Sequence, residues 1–151
     1  MKNHQSISRF LSCLYRHTQM YFDRQLGQYE LSYGVLSFLM VLFHHDGIHQ
    51  EEISRKLSID KATTTRAIHK LIESGYVRRE TDPADRRAYF IYLTDKGLAL
   101  KPELTQLSRD WSAQLSSGFT SEEKEQIFQL LEKMSYNSAM LKSIHNQHTS
   151  D

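Results

Sequence analysis

The sequence is poor in residues that cross-link, punctuate or span. Its single cysteine, Cys13, excludes an intrachain disulfide framework and makes a cytoplasmic address the default expectation. Two prolines and six glycines leave few turns, so a largely helical chain is expected. No apolar run approaches the ~20 residues of a membrane-spanning helix. The longest, Val35 to Phe43, is interrupted by Ser37. The first ten residues hold no unbroken apolar stretch, so no signal peptide and no membrane partner are expected. Gly-x-Ser-x-Gly, Gly-x-Gly-x-x-Gly, His-Glu-x-x-His and Cys-x-x-Cys are all missing, which argues against an enzyme and against a cofactor. What is present fits one folded domain: 151 residues, 39% hydrophobic and 25% charged.

Net charge is only +1, but it is unevenly placed. Residues 54–87 carry nine Lys or Arg against five acids, a net +4 that leaves −3 for the remainder. A basic centre between acidic arms is the footprint of a nucleic-acid reader on a neutral scaffold, although a solvated charged face has the same composition.

Periodicity gives the elements. Apolar residues at 7, 10, 11, 14, 15, 22 and 26 form a helical stripe over Ile7–Leu26, and Cys13, His17, Met20 and Tyr21 form a second one. Ser32 is positioned to cap a second helix through Phe43, apolar nearly all round and so central. A short third helix is expected over about Gln50 to Leu57, then a tight turn at Ser58-Ile59. Asp60 is the N-cap of a fourth helix ending at Gly75. With Ile68, Thr64, Leu71 and Ile72 inward, Ala62, Thr63, Arg66 and Lys70 point outward, with Thr65 and His69 on the flanks. A short helix, a turn and a capped helix with a basic outer face make a helix-turn-helix. Tyr76–Glu80 and Ala88–Leu93 read as two strands joined by a turn-rich loop containing Arg86 and Arg87, a basic wing. Thr94 caps a fifth helix that Pro102 is expected to kink, and Thr120-Ser121-Glu122-Glu123 is a capping box opening a sixth, whose tail from His145 is expected to fray. The fold class is therefore mainly α with a small two-stranded β wing.

Four motifs then stand in order: Leu57-x-x-Asp60-Lys-Ala-Thr-Thr-Thr-Arg66, Leu71-x-x-x-Gly75-Tyr-Val-x-Arg79, Asp82-Pro-x-Asp85-Arg-Arg87 and Leu93-Thr94-x-Lys96-Gly97. Together they resemble the MarR family of winged helix-turn-helix transcription regulators, closely from about Leu31 to Gly97. The resemblance implies one domain over 1–151. Residues of about 32–93 would form the DNA-binding lobe, and about 5–28 and 95–145 the dimerisation helices. It further implies an obligate homodimer on a palindromic operator, often released by a small ligand or an oxidant. Three residues depart from the family pattern: Gly34 in place of Gln or Pro, Thr64 in place of an apolar residue, and Ala62 in place of Ser. Close backbone packing is the expected reason for Gly34.

The DNA-contacting set expected on this reading is Ala62, Thr63, Thr65, Arg66, Lys70, Asp85, Arg86 and Arg87. Arg66 has the fork that reads a guanine edge, whereas Lys70 is a point charge suited to phosphate. Thr63 and Thr65 offer hydroxyls, unless they serve the helix start. Ala62 offers contact to a thymine methyl. The resemblance implies that Asp85 and Arg87 brace the wing and that one arginine enters the minor groove. Surplus apolar residues on the first and last helices, among them Phe10, Leu14, Phe22, Leu130, Met134 and Leu141, point to a two-fold interface. A small aromatic acid effector is expected among Arg16, His17, Met20, Tyr21, Phe38 and Leu42, residues that otherwise close the dimer core. Cys13 with His17 allows a thiol-sensing reading, and His44, His45 and His49 a metal-sensing one. No metal site is expected, because a zinc centre needs three or four convergent ligands. The rival class is a winged-helix protein–protein adaptor.

Overall fold

A computed structural model describes residues 6–148, with side chains to residue 142. The chain forms two compact units, Met1–Ser108 and Arg109–Asp151.

The first unit holds α1 (Ile7–Leu26), a 3₁₀ turn (Gly27–Tyr29), α2 (Tyr33–His44), β1 (Ile48–His49), α3 (Gln50–Leu57), α4 (Lys61–Glu73), β2 (Val77–Thr81), β3 (Tyr89–Leu93) and α5 (Asp95–Ala99). Helix α6 (Lys101–Leu115) runs on into the second unit, which also holds α7 (Ser121–His148). Among the described residues no single helix is long and apolar enough to cross a membrane.

The core is built around α2, as its all-round apolar pattern requires. Phe38, Leu39 and Leu42 are wholly buried, with Leu26, Ile53, Ile68, Leu71, Ile91 and Leu104. Each such side chain contributes about 1.5–3 kcal/mol by leaving water. The start of α2 corrects one expectation. Ser32 occupies the N-cap position but makes no side-chain capping bond, and Asp23 of α1 instead accepts the Tyr33 N–H at 2.7 Å. At the other end, Lys101 Nζ donates to the Phe43 carbonyl at 3.0 Å, satisfying one of the orphan acceptors of a helix C-terminus.

The wing is larger than the sequence suggests. Its sheet has three strands in the order β1-β3-β2, all antiparallel, with Ile48 opposite Ile91 and His49 opposite Phe90. Two residues are too few to carry a period-2 signal, so β1 left no readable pattern. The expected fifth helix is two helices that break at Leu100. Pro102 has no N–H to give the Leu98 carbonyl, and Leu100 N–H turns to Gly97 O at 3.2 Å in a tighter 3₁₀ bond. Because Pro102 lies in the first turn of α6, it starts that helix rather than kinking it.

Gly97 sits under the sheet with its Cα so close to the Tyr76 carbonyl that a Cβ would stand 2.1 Å from that oxygen. Gly34, by contrast, meets only Ser32 Oγ at 3.8 Å, so no close backbone approach within the chain explains it. In the second unit, Thr120 and Glu123 make the reciprocal capping box: Glu123 N–H donates to Thr120 Oγ1 at 3.2 Å, and Thr120 N–H to Glu123 Oε2 at 2.8 Å. The helix it opens continues to His148, past the expected fraying point at His145, and the last three residues of that tail lie outside the described residues.

Candidate nucleic-acid interface

Helix α4 is the second helix of the helix-turn-helix. The turn before it passes through Ser58 in the left-handed region, at φ 54°. Asp60 caps the helix twice, accepting the Thr63 N–H at 2.8 Å and the Thr63 hydroxyl at 2.7 Å. These bonds, the backbone one foremost, hold the Asp60 carboxyl below the usual carboxylate range. Thr64, Ala67, Ile68 and Leu71 face inward. Ala62, Thr65, Arg66 and Lys70 are exposed, as the helical period requires, and Thr63 is half-buried.

The helix-turn-helix contains a buried polar joint. Thr64 replaces the apolar residue usual at its position, and its Oγ1 accepts the Ser54 hydroxyl of α3 at 2.9 Å, both residues being buried. The departure is therefore half of a pair, and a buried hydroxyl with a partner avoids the cost of being left unbonded. A second link runs from Gln50 Nε2 to Thr65 Oγ1 at 3.0 Å, while the Thr65 hydroxyl donates to Lys61 O at 2.8 Å. Thr63 likewise gives its proton to Asp60 and accepts Arg66 Nη2 at 3.1 Å. Both hydroxyls thus spend their protons on the helix start. Their part is to orient α4 and Arg66.

In the wing, Asp82 Oδ1 accepts the Ala84 N–H at 2.8 Å and Asp85 Oδ1 the Arg87 N–H at 3.0 Å, so each aspartate fixes a turn. Asp85 and Arg87 stand in this turn, between β2 and β3. Their ion pair is at its outer limit, 3.9 Å from Arg87 Nε to Asp85 Oδ1, with the arginine side chain 96% exposed. Asp85 therefore braces Arg87 mainly through its backbone. Arg86 is exposed beside it. Behind the tip, Arg79 stacks over Tyr89 at 4.7 Å. Between α3, α4 and the wing lies an open groove of about 990 Å³, with Arg55, Lys61, His69, Arg79 and Arg87 among its lining residues.

One pair was not anticipated. His49 Nε2 lies 2.7 Å from Asp82 Oδ2, and the imidazole stacks on Phe90 at 4.1 Å between centroids. That hydrogen bond, with the Ala84 N–H second, holds the Asp82 carboxyl below its ordinary range. The partners stand 33 positions apart, and only the unseen strand β1 brings them together.

The effector candidates do not share an open pocket. Phe38 and Leu42 are fully buried in the core, Arg16, His17 and Met20 are exposed, and Tyr21 is half-buried. Cys13 Sγ lies 3.8 Å from His17 Nδ1. His44 and His45 are exposed, and among the described residues no three His, Cys, Asp or Glu side chains converge as metal ligands do.

Comparison with known proteins agrees with this geometry. Residues 31–89 match the model of the MarR family. The uncharacterized HTH-type transcriptional regulator YybA of Bacillus subtilis (strain 168) is 32% identical over 108 residues, 72% of each chain. The crystal structure of a MarR transcriptional regulator from Methanosarcina mazei Go1 superposes with a TM-score of 0.85 at 40% identity, covering 89% of this chain and 97% of that one. A putative MarR family regulator from Listeria monocytogenes, solved with a 26mer DNA, shares the fold at TM-score 0.82 and 24% identity, over 88% of this chain and 89% of that one. The chain belongs to the MarR family of DNA-binding helix-turn-helix transcriptional regulators, and it is not an enzyme.

Proposed function

We propose that the chain is a repressor that binds an inverted-repeat operator as a two-fold homodimer and is released by a small aromatic or phenolic acid. The observation that carries the reading is the outer face of α4, where exposed Arg66 and Lys70 stand on the same lobe as an exposed arginine pair at the wing tip. Recognition helices of this kind enter the major groove, while arginines from an adjoining arm suit a narrow minor groove. Arg66 reads a base edge and Lys70 neutralises a phosphate. Ala62, exposed on the same face, meets a thymine methyl.

The dimer reading draws support from α1 and α7. Phe10, Leu11 and Leu14 of the first, and Phe128, Leu130, Leu131 and Leu141 of the second, remain exposed on the single chain. Phe22 leaves that set, because it is buried against Tyr33 with the rings stacked at 5.3 Å. In a dimer, residues of about 32–93 form each DNA-binding lobe, and the helices of about 5–28 and 95–145 hold the two lobes one helical turn of DNA apart, about 34 Å. For the effector, exposed Arg16 supplies a cation for a carboxylate or phenolate, with His17, Met20 and Tyr21 on the same helix. A cytoplasmic location accompanies this role.

Selection of bound duplexes from a random pool tests the reading. Enrichment of an inverted repeat is the expected result. No enrichment, with weak and strongly salt-dependent binding only, would leave the winged helix as a protein-binding adaptor. Titration of salicylate-like acids against the complex, with Arg16→Ala as control, tests the effector. Release by an oxidant that fails on Cys13→Ser would transfer sensing to the thiol.

A further inference from the structure

We propose that His49 is a positioning residue that clamps the wing at a fixed angle to α4 and thereby sets the protein's preference for the sequence flanking each half-site. This rests on reading the wing tip as a DNA contact.

Backbone bonds close the wing loop on itself, Asp82 N–H to Ala88 O at 2.9 Å and Ala88 N–H to Asp85 O at 2.9 Å, but they do not tie it to the helices. Residues 83–87 are all exposed, and Asp82 at the loop's entry is the exception, its side chain only 14% exposed. The two oxygens of Asp82 divide the work. Oδ1 accepts the Ala84 N–H at 2.8 Å and shapes the first turn of the loop, and Oδ2 takes His49 Nε2 at 2.7 Å. His49 is in turn fixed from the sheet side by its stack on Phe90 at 4.1 Å. It is also the N-cap residue of α3, yet its side chain makes no capping bond, so the ring is committed to the wing rather than to its own helix. The next residue, Gln50, donates to Thr65 Oγ1 of α4 at 3.0 Å. A continuous path therefore runs from the turns carrying Arg86 and Arg87, through Asp82, His49 and Gln50, to the face that carries Arg66. A hydrogen bond between an imidazole and a carboxylate is directional, so it holds an angle as well as a distance.

The test is a double-variant cycle on the intact protein. The probes are two duplexes with one selected core, one flanked by A·T-rich and one by G·C-rich sequence. The variants are His49→Phe, which keeps a ring to stack on Phe90 but has no donor, the pair Arg86→Ala with Arg87→Ala, and all three together. The wing pair is expected to weaken binding to the A·T-flanked duplex about tenfold and the other less. His49→Phe is expected to reproduce most of that loss and to abolish the flank preference. Added to the wing pair it is expected to cost almost nothing more, since an unaimed tip has no arginine left to lose. His49→Gln, which restores an N–H near the same point but not the stack, is expected to recover flank preference. A packing role predicts the reverse order, with Phe tolerated and Gln not, and that order overturns the proposal. So does full multiplication of the two losses. Unchanged affinity on removing both wing arginines overturns the wing reading itself, and the clamp with it. Should His49→Phe melt too early to assay, Asp82→Asn takes its place. It keeps an oxygen for Ala84 but removes the charged acceptor, and an intact flank preference in it contradicts the clamp.

Discussion

The DNA-binding lobe and the last helix use apolar residues in opposite ways. In the lobe, α2 spends six of them on a closed core: Val35, Leu36, Phe38, Leu39, Leu42 and Phe43 are all buried. In α7, Phe128, Leu130, Leu131 and Leu141 all remain exposed on a single chain, Phe128 at 66% and Leu141 at 67%. Isolated exposed hydrophobes are ordinary, but so many on one helix are the mark of an interaction surface. One chain thus buries the apolar face of its lobe, and on the proposed reading a second copy covers the arm.

The sharpest way to break this contrast is to charge the arm. Leu130→Arg with Leu141→Arg removes four leucines from the proposed two-fold interface, on the order of 6 kcal/mol of association or more. Sedimentation is expected to show monomers whose lobe, by near-ultraviolet circular dichroism, is still folded. Loss of the lobe signal would mean that the two regions are not independent. The converse experiment strikes the lobe. Gly97→Ala drives a methyl into the Tyr76 carbonyl and is expected to cost about 3 kcal/mol in chemical denaturation. A neutral result would show that the sheet shifts freely over α5.

Smaller effects separate roles within the lobe. Arg66→Ala is expected to cost about 1–3 kcal/mol on the selected site and to blur one base per half-site. Lys70→Ala is expected to weaken all duplexes alike and to lower the salt slope by about one per subunit. Loss of affinity in both without any change of base preference would refute that division of labour. The smallest effect is in acid. Hydrogen bonds from Thr63 depress the Asp60 carboxyl in the folded state, so its contribution to stability is present above the unfolded value, about pH 3.9, and fades as pH falls through the depressed folded one. The melting-temperature gap between wild type and Asp60→Ala is therefore expected to narrow below about pH 4. A gap that widens on acidification would contradict this sign.

Legibility followed the strength of the local signal. Helices α1 and α3 begin and end where periodicity puts them, and the Asp60, Thr94 and Thr120 caps form as read. Thr94 Oγ1 accepts the Gly97 N–H at 3.1 Å. Features that depend on two distant segments were illegible. Strand β1 exists only because β3 lies beside it, and the His49–Asp82 pair exists only because β1 does. Asp23 displaced Ser32 as the cap of α2 for the same reason, since a carboxylate brought in by tertiary packing outranks a local hydroxyl. Among the candidate site residues, the period of α4 put Ala62, Arg66 and Lys70 outward, and they are exposed, whereas Thr63 is half-buried and Thr65, read as a flank, is exposed. It did not show that Thr63 and Thr65 are already engaged, because side-chain hydrogen bonds leave no period. Phe38, Leu42 and Phe22, read as facing a ligand or a partner, are buried within the single chain, because an apolar residue does not declare which surface will cover it.

On the proposed reading, a lobe that folds by itself is carried by an arm that a second copy completes. Sedimentation velocity of the full chain at micromolar concentration, alone and with a duplex bearing the selected repeat, tests it most directly. A dimer before DNA is added, with two chains per duplex afterwards, is the expected result. A stable monomer that binds one chain per duplex would contradict it.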